Sequence, residues 1–167
     1  IVTIYLVIPL LLVAAILQTS VVPHLAVWGV FPDLPLLIVI NWSLVRGARE
    51  GIVWGFAAGV ALDLLSGAPF GAATLSLMIV GLLSGLASAT VVRAQFILPP
   101  VTVFLATLVY GLIFLSVVQV AGHTVDWGGT LLRIALPSAL LNAVLTPPFF
   151  WIARMLDRWI ARREMEW

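Results

Sequence analysis

Eight arginines interrupt a chain built from long apolar runs, and where they fall constrains the fold more than any other feature. Arg46, Arg49, Arg93, Arg154, Arg158, Arg162 and Arg163 sit at junctions that alternate spans would bring to one water phase, whereas Arg133 alone would face the other. Basic residues are retained on the cytoplasmic side during insertion. The pattern therefore predicts an all-α polytopic membrane protein with six transmembrane helices and both termini cytoplasmic.

Composition agrees: 63% of residues are apolar and 9% charged, against about 45–50% and about 25% in soluble domains. The net charge of +1 is distributed by side, without a contiguous basic patch of the kind that binds nucleic acid. With no cysteine, disulfides, iron–sulfur clusters and thiol catalysis are excluded. The segment from Ile1 to Val22 has no basic leader and is expected as a first span rather than a cleavable signal, with a short stretch missing before Ile1.

A single transmembrane domain over residues 1–167 is expected, with spans near 2–22, 33–46, 50–65, 70–92, 99–121 and 131–152 and a cytoplasmic tail over 154–167. The second span is short: from Asp33, an N-cap candidate before Leu34-Pro35, it reaches Arg46 after only about 20 Å of rise. It must begin earlier, near Val30, or lie in a thinned or protein-buried region. The brief turn Gly47–Arg49 makes the second and third spans antiparallel neighbours. Pro147 and Pro148, inside the sixth span, are expected to kink or unwind it. The tail alternates arginine with Asp157, Glu164 and Glu166 and carries Trp159 and Trp167, a pattern suited to a helix lying along the cytoplasmic face.

Gly51, Gly55, Gly59 and Asp63 recur every fourth residue and so share one helical face. Glycine costs about 1 kcal/mol per interior helical position relative to alanine, which is tolerated where backbones approach closely. Gly81, Gly85 and Ala89 repeat the spacing on the fourth span, with Ala73 in register, so the two faces can serve packing within the bundle or recognition of another protein's helix. Asp63 lies about 21 Å of rise from Arg49, within the outer half of the membrane. A carboxylate there needs a partner: an ion pair with Arg133 and hydrogen bonds from Ser66 and the amides of the following turn both qualify.

His24 and His123 stand in separate outer loops without the spacing of a metal site, and Asp33, Asp63 and Asp126 lack a neighbouring nucleophile or base, so no metal, cofactor or catalytic role is assigned. Arg46, Arg49, Arg93 and the tail arginines Arg154, Arg158, Arg162 and Arg163 read as cytoplasmic anchors.

Pro32-Asp33-Leu34, Arg46 and then Gly51-x3-Gly55-Phe56-x2-Gly59-x3-Asp63 followed by Phe70-Gly71 resemble the bacterial rod shape-determining family MreD. The resemblance implies a non-enzymatic scaffold of the cell-elongation complex in the bacterial cytoplasmic (inner) membrane. Its implied partners are the transmembrane helix of MreC, RodA with its class B penicillin-binding protein, and MreB or membrane lipid at the tail. Gly55, Gly59 and Asp63 carry over only as signature residues, and Gly71 is expected with Gly51, Gly55, Gly59, Gly81 and Gly85 among the helix-packing or partner-binding positions. The size and six-span plan are also similar to the substrate-binding subunits of energy-coupling factor transporters. That alternative predicts an outward cavity for a vitamin-like solute, lined by Asp63, Arg133, Trp127 and the Ser66–Gly71 turn. A proton-linked pore would have Asp63 as its sole deep acid.

Overall fold

A computed structural model describes residues 2–25, 29–91 and 97–164, and every extended element among them is helical. Six long helices, α1 (Val2–Ser20), α2 (Leu34–Arg46), α3 (Ala48–Ser66), α4 (Ala72–Leu86), α6 (Leu98–Val120) and α8 (Leu136–Glu164), are joined by the short α5 (Ser88–Val91) and α7 (Trp127–Thr130). A five-residue π turn, Leu131–Ala135, links α7 to α8.

Helix α2 sits at the centre. It packs against α1, α3, α4, α6 and α8, and Leu36, Leu37, Val39, Ile40 and Leu44 are wholly enclosed. This explains its length of 13 residues, about 20 Å: the helix starts at Leu34 without an earlier turn, and its middle is enclosed by protein while its ends are half-buried.

Four buried hydroxyls are satisfied inside their own helices. Ser43 donates to the Val39 carbonyl, Ser76 to Ala72, Thr107 to Val103 and Thr146 to Asn142, each one turn back. Such bonds remove the penalty of a polar side chain in an apolar interior without requiring a second helix.

The exterior is apolar. Tyr5, Leu64, Phe70, Val120 and Val144 each expose more than two-thirds of their surface, and two stretches, Leu98–Val120 and Trp127–Arg163, are long and apolar enough to cross a membrane. The direction of the chain is set by its contacts. Gln18 near the end of α1 meets the start of α2, and Arg46 at the end of α2 meets Asp157 near the end of α8. The described chain therefore begins and finishes at one end of the bundle.

Three expected boundaries differ. The fourth helix stops at Leu86, and Ala87 separates it from α5, so Ala89 is exposed rather than extending the small-residue face. No break in the helix marks the expected boundary at 152–154: α8 runs unbroken to Glu164. Pro147 and Pro148 lie within that continuous helix, which is not unwound there; the irregular turn lies instead at Leu131–Ala135, near its start.

Candidate functional site

The polar groups of the bundle gather at three places. The first is the N-terminus of α2, where a helix leaves backbone donors without intrahelical partners. Asp33 caps it, its Oδ1 accepting from the Leu36 amide at 3.1 Å. The Leu34 amide donates to Gln18 Oε1 of α1 at 2.9 Å, and the Asp33 amide donates to Asn142 Oδ1 of α8 at 3.1 Å. Asn142 Nδ2 in turn donates to Thr107 Oγ1 of α6 at 3.4 Å, a long bond. Three surrounding helices are thus tied to the start of the central one. Beside this knot lies a cavity of about 290 Å³ whose wall includes Gln18, Asp33, Thr107, Tyr110, Ser138 and Asn142.

The second place is the α3–α4 hairpin. Asp63 is buried and accepts four hydrogen bonds: Oδ2 from the amides of Gly71 (2.9 Å) and Thr74 (3.1 Å) and from the Thr74 hydroxyl (2.6 Å), and Oδ1 from the Ala73 amide (3.0 Å). The carboxylate therefore caps α4 from the neighbouring helix, where the end of the helix dipole also favours negative charge. It does not pair with Arg133, which is exposed on the π turn. Below Asp63 the two helices touch backbone to backbone. A Cβ placed on Gly51 would overlap the Gly81 carbonyl, one on Gly55 the Leu77 carbonyl, and one on Gly59 the Thr74 backbone; one on Gly85 would strike Ala48. Gly51 and Gly81 meet as glycine on glycine, while Gly55 and Gly59 are opposed by larger residues approaching through their main chain. Gly71 differs. It precedes α4 at φ 98°, a left-handed turn that favours glycine, and nothing lies near the position of its missing side chain.

The third place is the opposite end of α2. Trp42 and Trp54 stack with centroids 4.5 Å apart, and both indole N–H groups donate to Glu50 Oε2, at 3.4 and 3.1 Å. Arg46 Nε pairs with Asp157 Oδ1 at 2.5 Å, and its guanidinium lies 5.7 Å from the Trp42 ring centroid. Arg154 and Arg163 rest over Phe150 and Trp159 of their own helix. The side chains of Arg49, Arg158 and Arg162 are exposed, and Arg93 lies outside the described residues. Arg46, Arg49 and the α8 arginines share this end. Arg133 belongs to the other, beside Ile134 and Ala135 of the cavity wall. A groove between α1 and α8 opens next to the tryptophan pair, in adjoining apolar compartments of about 390 and 200 Å³.

This arrangement holds helices together and leaves open volumes at the Asp33 end, between α1 and α8, and between α4 and α6. A family model describing the rod shape-determining protein MreD matches residues 1–157 of the 167. The chain belongs to the MreD family. Its role is in rod shape determination, and the MreD family is not a known enzyme family. No curated protein and no solved structure matches the chain. Within this MreD fold the cavity expected around Asp63, Arg133 and Trp127 is displaced: the carboxylate is occupied by α4, and Trp127 Nε1 donates to Gln119 instead. The polar cavity lies around Asp33. Gln18 and Asn142, which help to build it, were missed in the sequence, although a lone carboxamide inside an apolar span signals that a partner must exist. His24 bonds the Ser20 carbonyl one turn back through Nδ1, and His123 is exposed.

Proposed function

We propose that this protein is a non-enzymatic, multi-pass scaffold of the cell-elongation complex in the bacterial cytoplasmic membrane. It crosses six times with both ends in the cytoplasm, binds the membrane helix of MreC, and so supports the RodA polymerase and its class B penicillin-binding protein during lateral wall synthesis. The observation that carries this reading is the MreD family match over residues 1–157. It is supported by the shared end of Arg46, Arg49 and the α8 arginines, which suits the cytoplasmic side, and by the apolar exterior. Six crossings accommodate α2, too short to span alone, as a protein-enclosed rod. The exposed arginines late in α8 offer a surface for MreB or anionic lipid, tempered by Asp157 and Glu164.

Copurification tests the scaffold. MreC is expected to follow the protein in mild detergent and to crosslink to it in membranes; absence of MreC from both preparations removes the reading.

One observation favours a second reading, a small-solute binding subunit similar to those of energy-coupling factor transporters: the cavity at Asp33 combines about 290 Å³ with several hydrogen-bonding side chains. A thermal-shift screen across water-soluble vitamins separates the two. A specific stabilisation that Asn142→Leu abolishes supports capture, and no shift across the panel supports scaffolding.

A further inference from the structure

Two carboxylates cap long helices in this bundle, and the chain satisfies them unequally. Asp63 is enclosed and accepts four hydrogen bonds. Asp33 is half-buried and accepts one, at Oδ1 from the Leu36 amide, while its Oδ2 accepts none among the described residues. The less satisfied carboxylate is the one that borders the cavity of about 290 Å³.

The rest of the wall offers hydrogen-bonding groups and aromatic faces without a positive charge. Gln18 Nε2 and the Tyr110 hydroxyl make no hydrogen bond among the described residues. Phe31, Tyr110 and Phe114 contribute three rings, the last two stacked with centroids 5.8 Å apart. Among the described residues no lysine, arginine or histidine lines the cavity; Arg133 is exposed on the π turn, and only its neighbours Ile134 and Ala135 reach the wall. These groups discriminate between occupants. An anionic solute would set like charge beside Asp33 with no cation to offset it. A divalent metal requires a set of oxygen or nitrogen ligands, and no group of three acidic or histidine side chains exists among the described residues. An acyl chain would fill the apolar part and leave Oδ2 without a donor. A positively charged nitrogen answers each feature, because it pairs with the carboxylate through charge-assisted hydrogen bonds and is attracted to the faces of the rings.

We propose that the Asp33 cavity is a site for an organic ammonium, with the Asp33 carboxylate as its counter-ion and Phe31, Tyr110 and Phe114 as its aromatic wall. The volume lies at the small end of ligand sites. It admits a small free amine or the headgroup of an aminophospholipid, which present the same cationic nitrogen. This deepens the small-solute reading by fixing the ligand's charge; it rests on the cavity being a ligand site and requires no transport.

Melting of the purified full-length protein in detergent tests it with probes of matched shape and different charge: phenylethylammonium, neutral phenylethanol and anionic phenylacetate. The ammonium is expected to raise the melting temperature with concentration, the alcohol weakly and the anion not at all. Phosphatidylethanolamine against phosphatidylglycerol separates the sources. Stabilisation by phosphatidylethanolamine that Asp33→Asn removes assigns a lipid headgroup, and stabilisation by the free ammonium alone assigns a soluble amine. Asp33→Asn keeps a good helix cap and removes the charge, so melting without ligand should stay near wild type while the ammonium concentration needed for the same shift rises at least about tenfold. A marked fall in melting of unliganded Asp33→Asn would show that the chain already satisfies the carboxylate, and would overturn the site. An undiminished ammonium effect in that variant, or equal stabilisation of the wild type by the alcohol or the anion, overturns the charge assignment. If neither the ammonium probe nor phosphatidylethanolamine stabilises the protein, the ammonium site falls; a vitamin shift that Asn142→Leu abolishes then leaves the small-solute reading standing, and silence across the vitamins as well removes both.

Discussion

The α3–α4 seam and the α1–α8 side of the same bundle solve opposite problems. In the seam, glycines every fourth residue bring two main chains into contact, and the one buried carboxylate there is taken up by four donors. On the α1–α8 side, large apolar residues and two tryptophans hold the flanking helices apart, and a buried carboxamide oxygen finds no donor among the described residues. Spacing makes the difference. Small residues at a fourfold repeat let backbones close until no volume remains, and bulky residues at the same depth stop short. One side of the bundle is thereby closed main chain to main chain, and the other keeps an apolar volume.

Gly55→Ala is the most damaging way to test the closed side. The added Cβ would fall on the Leu77 carbonyl and within 3.0 Å of Met78 Cα, main-chain atoms that cannot rotate away. The helices must separate, opening contacts along the seam. A loss of about 3 kcal/mol is expected, at the upper end of overpacking costs, seen as a much lower melting temperature and a smaller folded fraction by size exclusion in detergent. Wild-type melting would show that the seam is looser than its geometry implies.

Next in size is Asp63→Asn. An amide keeps the shape of the carboxylate but loses its charge, and its NH2 would face amide donors that need an acceptor. A loss of about 1–3 kcal/mol is expected, again measured as thermal stability in detergent. Asp63→Glu should not rescue it, since the longer side chain cannot meet four fixed donors. Equal melting of Asp63→Asn and wild type would mean that the carboxylate is not what anchors α4.

The contrast between these regions also marks how much the sequence discloses. The close-packing face was legible because Gly51, Gly55 and Gly59 repeat at helical spacing, and Gly81 and Gly85 supplied a matching face; which residues oppose which was not, because the facing partners at two steps are Leu77 and Thr74, residues with no small-side-chain signature. Asp63 could be recognised as a carboxylate in need of partners. The choice between Arg133 and turn amides depended on where the π turn directs Arg133, and that is set by tertiary packing rather than by local pattern. Asp33 was readable as a cap from Leu34-Pro35 after it, whereas Gln18 and Asn142 reach the same helix end from 16 and 109 residues away. Helix α2 showed its position by being too short, a clue that left burial and bilayer thinning as alternatives until all five other long helices were seen around it.

The smallest expected effect comes from repeating the glycine-to-alanine exchange outside the seam. Gly111 lies on α6 at the edge of the Asp33 cavity, and a Cβ there would meet only the Ala135 side chain, at 3.5 Å, an ordinary contact distance. No main chain must move. Alanine also lowers the conformational entropy of the unfolded chain and favours the helix, so Gly111→Ala should raise stability by about 0.4–1 kcal/mol. Measured beside Gly55→Ala under identical detergent conditions, the pair isolates packing from helix propensity, because the chemical change is the same at both positions. Should the two variants lose stability equally, the cost would belong to removing glycine from a helix, and the distinction between a closed seam and an open side would collapse.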